Sequence, residues 1–195
     1  MTINFFTTEF RKKNIQGYEI KLAECRSHND ITAMVAPMKI QRYTYEFRLV
    51  RVFLDNYTQR VFKFGRSDNH QSHTPVERIY RLAGHLPGWD STLNIPLRGP
   101  SGDDMIDICE NYYKLTGHRI LKDDVIIRIH DFTNIPSPSQ SDPEFLIKKH
   151  ERYLIKQYKE TYGVLPVGNV RDEGFMDYKS TVDRAYYSQF IYEEA

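Results

Sequence analysis

The chain has 195 residues, a formal net charge of +1, 40% hydrophobic and 27% charged residues. That length suits one domain with a real core, and the chain is too apolar and too weakly charged for a disordered polymer. Two distant cysteines, Cys25 and Cys109, exclude a disulfide scaffold and an all-cysteine zinc site.

No apolar run approaches the length of a membrane span, and residues 1–11 lack the apolar core and cleavage site of a signal peptide. The expectation is a soluble, cytoplasmic protein. A near-neutral total does not announce a nucleic-acid binder, although it leaves room for a local basic face.

Residues 1–42 are mixed, with a charged stretch at Arg11–Lys13 and then Glu19-Ile20-Lys21-Leu22. They read as an N-terminal extension with one or two short strands. Residues 43–54 alternate: Tyr45, Phe47, Leu49, Arg51 and Phe53 fall on one face, and Val50, Val52 and Leu54 on the other. Asp55-Asn56 is a turn signal, and a second strand follows at 60–67, which predicts an antiparallel hairpin. Lys63 alternates with Phe62 and Phe64 and is expected on the other side of the sheet from both. Gly65 predicts a bulge or a close approach to the backbone, with room for a ligand.

Thr74-Pro75 has the form of an N-cap followed by the first helical residue, with Glu77 in the first turn. The helix should run to about Ala83, burying Val76, Ile79, Tyr80 and Ala83. Arg78, Arg81 and His85 then share the opposite side. Such a face is commonly just solvated, but a guanidinium is also a planar donor fork for phosphate. Met105, Ile106, Cys109, Tyr112 and Tyr113 recur at helical spacing over 101–115, closed by Gly117. Residues 124–132 predict a strand, 134–143 a Pro/Ser loop, and 143–162 a long helix stopped by Gly163, Pro166 and Gly168. From Asp177 the tail predicts one helix with Val182, Ala185, Tyr186 and Phe190 on one side. The fold expectation is α+β: a small antiparallel or mixed three-stranded sheet flanked by helices, with an N-terminal extension (1–42) and a C-terminal helical tail (171–195) around a central domain (43–170).

Glu151 stands out. On a helix over 144–162, Ile147, Leu154, Tyr158 and Tyr162 form the apolar stripe, and Glu151 falls inside it. Burying a carboxylate there is expensive without a partner. Two readings stay open: an ion pair with an arginine, or a carboxylate facing a site, such as a ligand for one hard divalent ion that keeps most of its waters.

Taken together, three segments resemble the GIY-YIG nuclease superfamily. Phe62-Lys63-Phe64-Gly65-Arg66-Ser67 resembles the branch whose second motif reads like KIGRT. Residues 75–82, PVERIYRL, resemble the helix that carries the family arginine, here Arg78. Residues 150–169 resemble the helix that carries the family glutamate, here Glu151, with Asn169 as its trailing asparagine, a place Gly163 could also take. The similarity spans roughly residues 43–170. No GIY stands on the first strand, where Arg51, Val52 or Phe53 would fall, and Lys63 replaces the second tyrosine.

The resemblance implies metal-dependent hydrolysis of DNA phosphodiesters. Glu151 would hold one Mg²⁺ or Mn²⁺, and Arg78 would stabilise the transition state. Lys63, or Tyr45 or Tyr80 in place of the absent tyrosines, would orient or deprotonate the attacking water. Arg66, Arg81, His85 and Asn169 would hold the DNA, with Arg66, Arg81 and His85 on flanking phosphates. The protein would act as a monomer or homodimer. Two alternatives keep their place: a DNA-binding module that kept the fold and lost the chemistry, motivated by the missing tyrosines, and a structural or interaction protein, for example of viral origin, motivated by the tyrosine-rich tail. Other chemistries are poorly supported. There is no nucleotide-binding glycine loop and no GxSxG, and His70 and His73 with Asp68 read better as a surface loop than as a metal site.

Overall fold

The computed structural model describes residues 13–50, 61–68, 76–90, 100–138, 142 and 144–169. Among them, four strands form one sheet and four α-helices cover it. In chain order these are β1 (Gln16–Lys21), α1 (His28–Val35), β2 (Arg42–Leu49), β3 (Val61–Asp68), α2 (Glu77–Gly84), α3 (Pro100–Thr116), β4 (Val125–Asp131) and α4 (Phe145–Tyr162). The sheet order is β1-β4-β2-β3, and every pairing is antiparallel.

The architecture is therefore α+β, but the sheet has four strands rather than the three expected, and none is parallel. The added strand is β1, contributed by the residues read as an N-terminal extension. It pairs with β4 from Gln16↔Asp131 to Lys21↔Ile126. Alternation of Tyr18 and Ile20 with Glu19 and Lys21 suits it to one buried face. The same stretch supplies α1, whose start is a capping box: Ser27 accepts from the Asn29 amide, and Asp30 reaches back to the Ser27 amide. A strand and a helix thus stand where only short strands were expected.

The two faces of the sheet differ in chemistry. On one, Tyr43, Tyr45, Phe47 and Leu49 of β2 join Val125, Ile127 and Ile129 of β4 and Ile20 of β1. This apolar face takes Ile31 and Val35 from α1, Ile79, Leu82 and Ala83 from α2, and Met105, Ile108 and Tyr112 from α3. The opposite face carries Thr44, Glu46 and Arg48 of β2, Arg128 and His130 of β4 and Arg66 of β3, and α4 lies against it.

The helix ends are as the residues dictate in two cases. Gly117 (φ 72°) closes α3 and Gly163 (φ 78°) closes α4, both left-handed. The start of α2 is not as expected. Its N-cap is Val76, itself left-handed (φ 49°), with no side-chain cap, instead of Thr74; residues 74 and 75 lie outside the described residues. The Tyr43 hydroxyl, from β2, faces the first α2 amides at Arg78 and Ile79 and the Ser67 side chain, without closing a well-formed hydrogen bond. A strand side chain stands where a local cap would. The second half of the expected first strand (51–54) and the helix expected from Asp177 also lie outside the described residues.

A bulge shapes β3. Phe47 pairs with Lys63 but Arg48 pairs with Val61, so Phe62 is an extra residue. This moves Phe62 off the alternation. It packs with Phe47 on the apolar face, ring centroids 5.9 Å apart, whereas Phe64 packs with Tyr158 of α4 on the other. The expectation that Phe62 and Phe64 share a face fails for this reason.

Gly65 is a close approach, as expected, but the visitor is the chain's own. Tyr45 lies directly opposite it, and a Cβ at Gly65 would stand 2.3 Å from the Tyr45 ring. The space expected for a ligand is filled by that ring. Gly65→Ala should therefore destabilise the domain by about 1–3 kcal/mol through overpacking. Urea unfolding checks it, and the combination with Tyr45→Ala should cost less than the sum of the two single changes.

Candidate functional site

The polar face beneath α4 gathers charge. Glu151 is 6% exposed, inside the buried side of α4 with Leu146, Ile147, His150, Ile155 and Tyr158. Its Oε2 accepts from Nη1 of Arg66 on β3. Of the two readings open for this carboxylate, the ion pair with an arginine is what the fold forms. Leu154 and Tyr162, expected in the stripe, lie at its margin, since Tyr162 is exposed and Leu154 only packs against the cluster of Val61, Phe64, Ile155 and Tyr158.

Beside this pair runs a buried relay that the sequence reading missed. His150 Nδ1 and Thr44 Oγ1 are 2.7 Å apart. The His150 and His130 rings meet edge to face at 4.9 Å. His130 Nε2 donates to Glu46 Oε1 at 2.7 Å, and Arg48 Nη1 donates to Glu46 Oε2 at 2.7 Å. A second pair, Arg128 Nε to Glu19 Oε2 at 3.1 Å, extends the same face. One signal was available in the sequence: alternation in RYTYEFRL sets Thr44, Glu46 and Arg48 in a row on one face, too polar for an ordinary core side.

Burial opposes the charge on Glu46, but the hydrogen bond and charge of His130 and the pairing with Arg48 outweigh it, and its carboxyl is held down to about 2. Burial, reinforced by the nearby His130, holds His150 well below the usual histidine value. Both folded values lie under their ordinary ones, 4.5 and 6.5. Stability from each is therefore complete above the ordinary value and is lost as pH falls below it. Thermal melts should show Tm falling as pH drops below 6.5, as unfolded His150 takes up a proton that the folded site resists. The loss should steepen between 4.5 and 2 as Glu46 protonates. His150→Gln should flatten the upper part of that profile.

The edge strand β3 is fastened by the chain that follows α4. Asn169 lies 8% exposed and clasps the Phe64 backbone: its Oδ1 accepts from Phe64 N at 2.7 Å, and its Nδ2 donates to Phe64 O at 3.1 Å. Gly168 N donates to Phe62 O at 2.7 Å, and Lys63 Nζ donates to Gly168 O at 2.6 Å. Leu165 packs on the α4 side and Val167 on the other, so the segment crosses over the sheet edge. The crossing is close: a Cβ at Gly168 would stand 2.7 Å from Phe62 O. Paired this way, the edge no longer presents a bare carbonyl at Phe62 or a bare amide and carbonyl at Phe64. Asn169→Ala should cost about 1–3 kcal/mol because it leaves the buried Phe64 amide unsatisfied. It should also raise amide hydrogen exchange at Phe64 more than at β2 residues.

The fold thus brings Lys63, Arg66, Glu151 and Asn169 to one strand. It does not bring the helix candidates to them. Arg78, Tyr80 and Arg81 belong to α2 and His85 caps its C-terminus, on the opposite layer from α4. Tyr80 donates to Asn29 Oδ1 at 3.0 Å and its ring meets His28 at 4.9 Å. Arg81 pairs with Glu77 one turn earlier on an exposed surface. Tyr45 is 1% exposed, in the apolar face. His70 and His73 lie outside the described residues.

A single carboxylate with surrounding water is chemically suited to Mg²⁺ or Mn²⁺. Here, however, the Glu151 oxygen is taken by a guanidinium, and among the described residues no group of three or more His, Cys, Asp or Glu could hold a metal ion. As folded, the residues do not fit a resident divalent cation. Among the described residues no helix is long and apolar enough to cross a membrane. Comparison with protein-family models, curated proteins and solved structures finds no match.

Proposed function

We propose that the chain is a divergent GIY-YIG-type domain that engages DNA through its phosphodiester backbone and hydrolyses it. One observation carries this reading. Arg66 of the KFGR segment, Glu151 and Asn169, set far apart in sequence, converge on β3, the strand that holds the motif glycine. The resemblance assigns all three residues to one DNA-engaging domain, although the arginine it favours, Arg78, lies on the opposite layer. The element order from β2 onward is a hairpin, two helices, a strand and a helix, of which α3 is an addition to the order that the resemblance implies.

In this reading Arg66 holds a phosphate. Its side chain is 27% exposed, and its fork suits phosphate oxygens as well as carboxylate. Glu151 supplies the acidic group of the site. Asn169 positions the motif strand and does not itself contact DNA, because its amide is engaged on both sides by Phe64.

A second reading, the binding module without chemistry, draws on a specific observation. The candidate bases are engaged elsewhere: Lys63 donates to Gly168 O, Tyr80 to Asn29, and Tyr45 is buried against Gly65. The two readings part in one assay. Plasmid and branched DNA are incubated with Mg²⁺ or Mn²⁺, wild type beside Glu151→Ala, with folding checked by circular dichroism. Cutting by wild type alone supports the hydrolase. Salt-dependent binding without cutting supports the module. Neither binding nor cutting removes both.

A further inference from the structure

The residues of α4 divide by direction. Leu146, Ile147, His150, Glu151, Ile155 and Tyr158 are buried against the sheet. Lys149, Arg152, Lys156 and Lys159 are all exposed. At about 100° per residue these four fall within about 80° of arc, on the side opposite the buried face. They form one ridge about 15 Å long.

Little acid answers this ridge. Of the two carboxylates on α4, Glu151 is buried and paired with Arg66. Glu160 pairs with Lys156 at 3.6 Å, both side chains being exposed. An exposed pair of that kind contributes little, so exchanging it for another anion costs little. Lys148, on the flank, is taken by Asp142 and Glu144. The whole chain carries only +1, so the ridge reflects where charge is placed, not a general excess. The opposite layer has no such ridge. Arg81 of α2 is paired with Glu77, and on α3 the exposed Asp107 and Glu110 outnumber the exposed Lys114.

The chemistry of the ridge narrows its partner. A helix lying on a membrane offers its apolar side to lipid, and here that side is buried on the sheet. A protein interface draws its energy from buried aromatic and apolar anchors. The exposed Phe145 and Tyr162 stand at the two ends of the helix, not along the ridge. A regular polyanion needs neither feature. Over 15 Å, one strand of a duplex presents about four phosphates. The ridge matches that length, on a helix fixed to the sheet by Ile147 towards one end and by Ile155 and Tyr158 towards the other.

We infer that the outward ridge of α4, formed by Lys149, Arg152, Lys156 and Lys159, is a docking surface for the phosphate backbone of duplex DNA. Such contacts position a duplex without reading its sequence. The inference rests on the phosphodiester reading above for the choice of DNA, and it adds a surface that the sequence resemblance did not assign.

The test is fluorescence anisotropy of a labelled duplex with the full chain, without metal, over a series of salt concentrations. Wild type is compared with a ridge variant carrying Lys149→Gln, Arg152→Gln, Lys156→Gln and Lys159→Gln. A control loses the same charge at other exposed positions, through Arg26→Gln, Lys39→Gln, Lys114→Gln and Arg119→Gln. Circular dichroism checks folding. The ridge variant should bind on the order of tenfold more weakly or worse, and its slope of log affinity against log salt should be shallower by about 3 to 4. The control should keep the wild-type slope. Should the fourfold variant fail to fold, Lys149→Gln with Lys159→Gln decides, with a slope shallower by about 2.

A ridge variant that keeps the affinity and slope of wild type overturns the ridge and leaves the phosphodiester reading standing. So does a control that loses as much as the ridge variant. A wild type with no duplex affinity at low salt overturns both. Cosedimentation with phosphatidylserine vesicles, abolished in the ridge variant, then reassigns the ridge to lipid.

Discussion

Everything on the polar side of this sheet follows from one constraint: a carboxylate has been taken out of water beneath a helix. Arg66 reaches it from the edge strand and answers its charge. The desolvation of such a pair offsets much of its attraction, while removing one partner leaves a stranded charge, at a cost of about 3–5 kcal/mol. A pair of this kind does more to dictate where α4 lies on the sheet than to stabilise the fold. The neighbouring cluster of Thr44, His150, His130, Glu46 and Arg48 follows the same rule through the Thr44–His150, His130–Glu46 and Arg48–Glu46 pairings.

The two faces of the sheet divide the labour. The apolar face, with Tyr43, Tyr45 and Phe47 at its centre and three helices over it, supplies the hydrophobic core. The polar face would be a weak interface on hydrophobic grounds alone. It is closed at both ends by small apolar clusters: Ile15, Phe132, Leu146 and Ile147 at one, and Val61, Phe64, Ile155 and Tyr158 at the other. Between them the charges are shielded from water without being surrounded by hydrocarbon. The bulge in β3 serves this division by sending Phe62 to one face and Phe64 to the other.

The clasp of Asn169 on Phe64 joins the chemistry of the site to the stability of the edge. It holds the strand that carries Lys63, Gly65 and Arg66, and it directs Lys63 onto the Gly168 carbonyl. In the proposed nuclease the residues beside the motif glycine are thus preorganised by the far end of the domain. The same engagement leaves the identity of a general base as the point that separates hydrolase from binding module.

Local pattern was enough to place much of this protein. Alternation marked β2, β3 and β4, 3.6-residue spacing marked α3 and α4, and glycines marked where those helices end. These signals depend on neighbours in the chain, so they survive without knowledge of the fold. The position of Glu151 inside an apolar stripe was equally legible, because helical geometry alone places it there. Its partner was not. Arg66 lies 85 residues away, and nothing local distinguishes it from Arg78, which the resemblance favoured but which belongs to the opposite layer. The fourth strand, the tyrosine at the start of α2, the His130–Glu46 bond and the clasp of Asn169 are likewise contacts between distant segments. They exist only once the chain has closed, because buried charges and open strand edges must find partners wherever packing brings them.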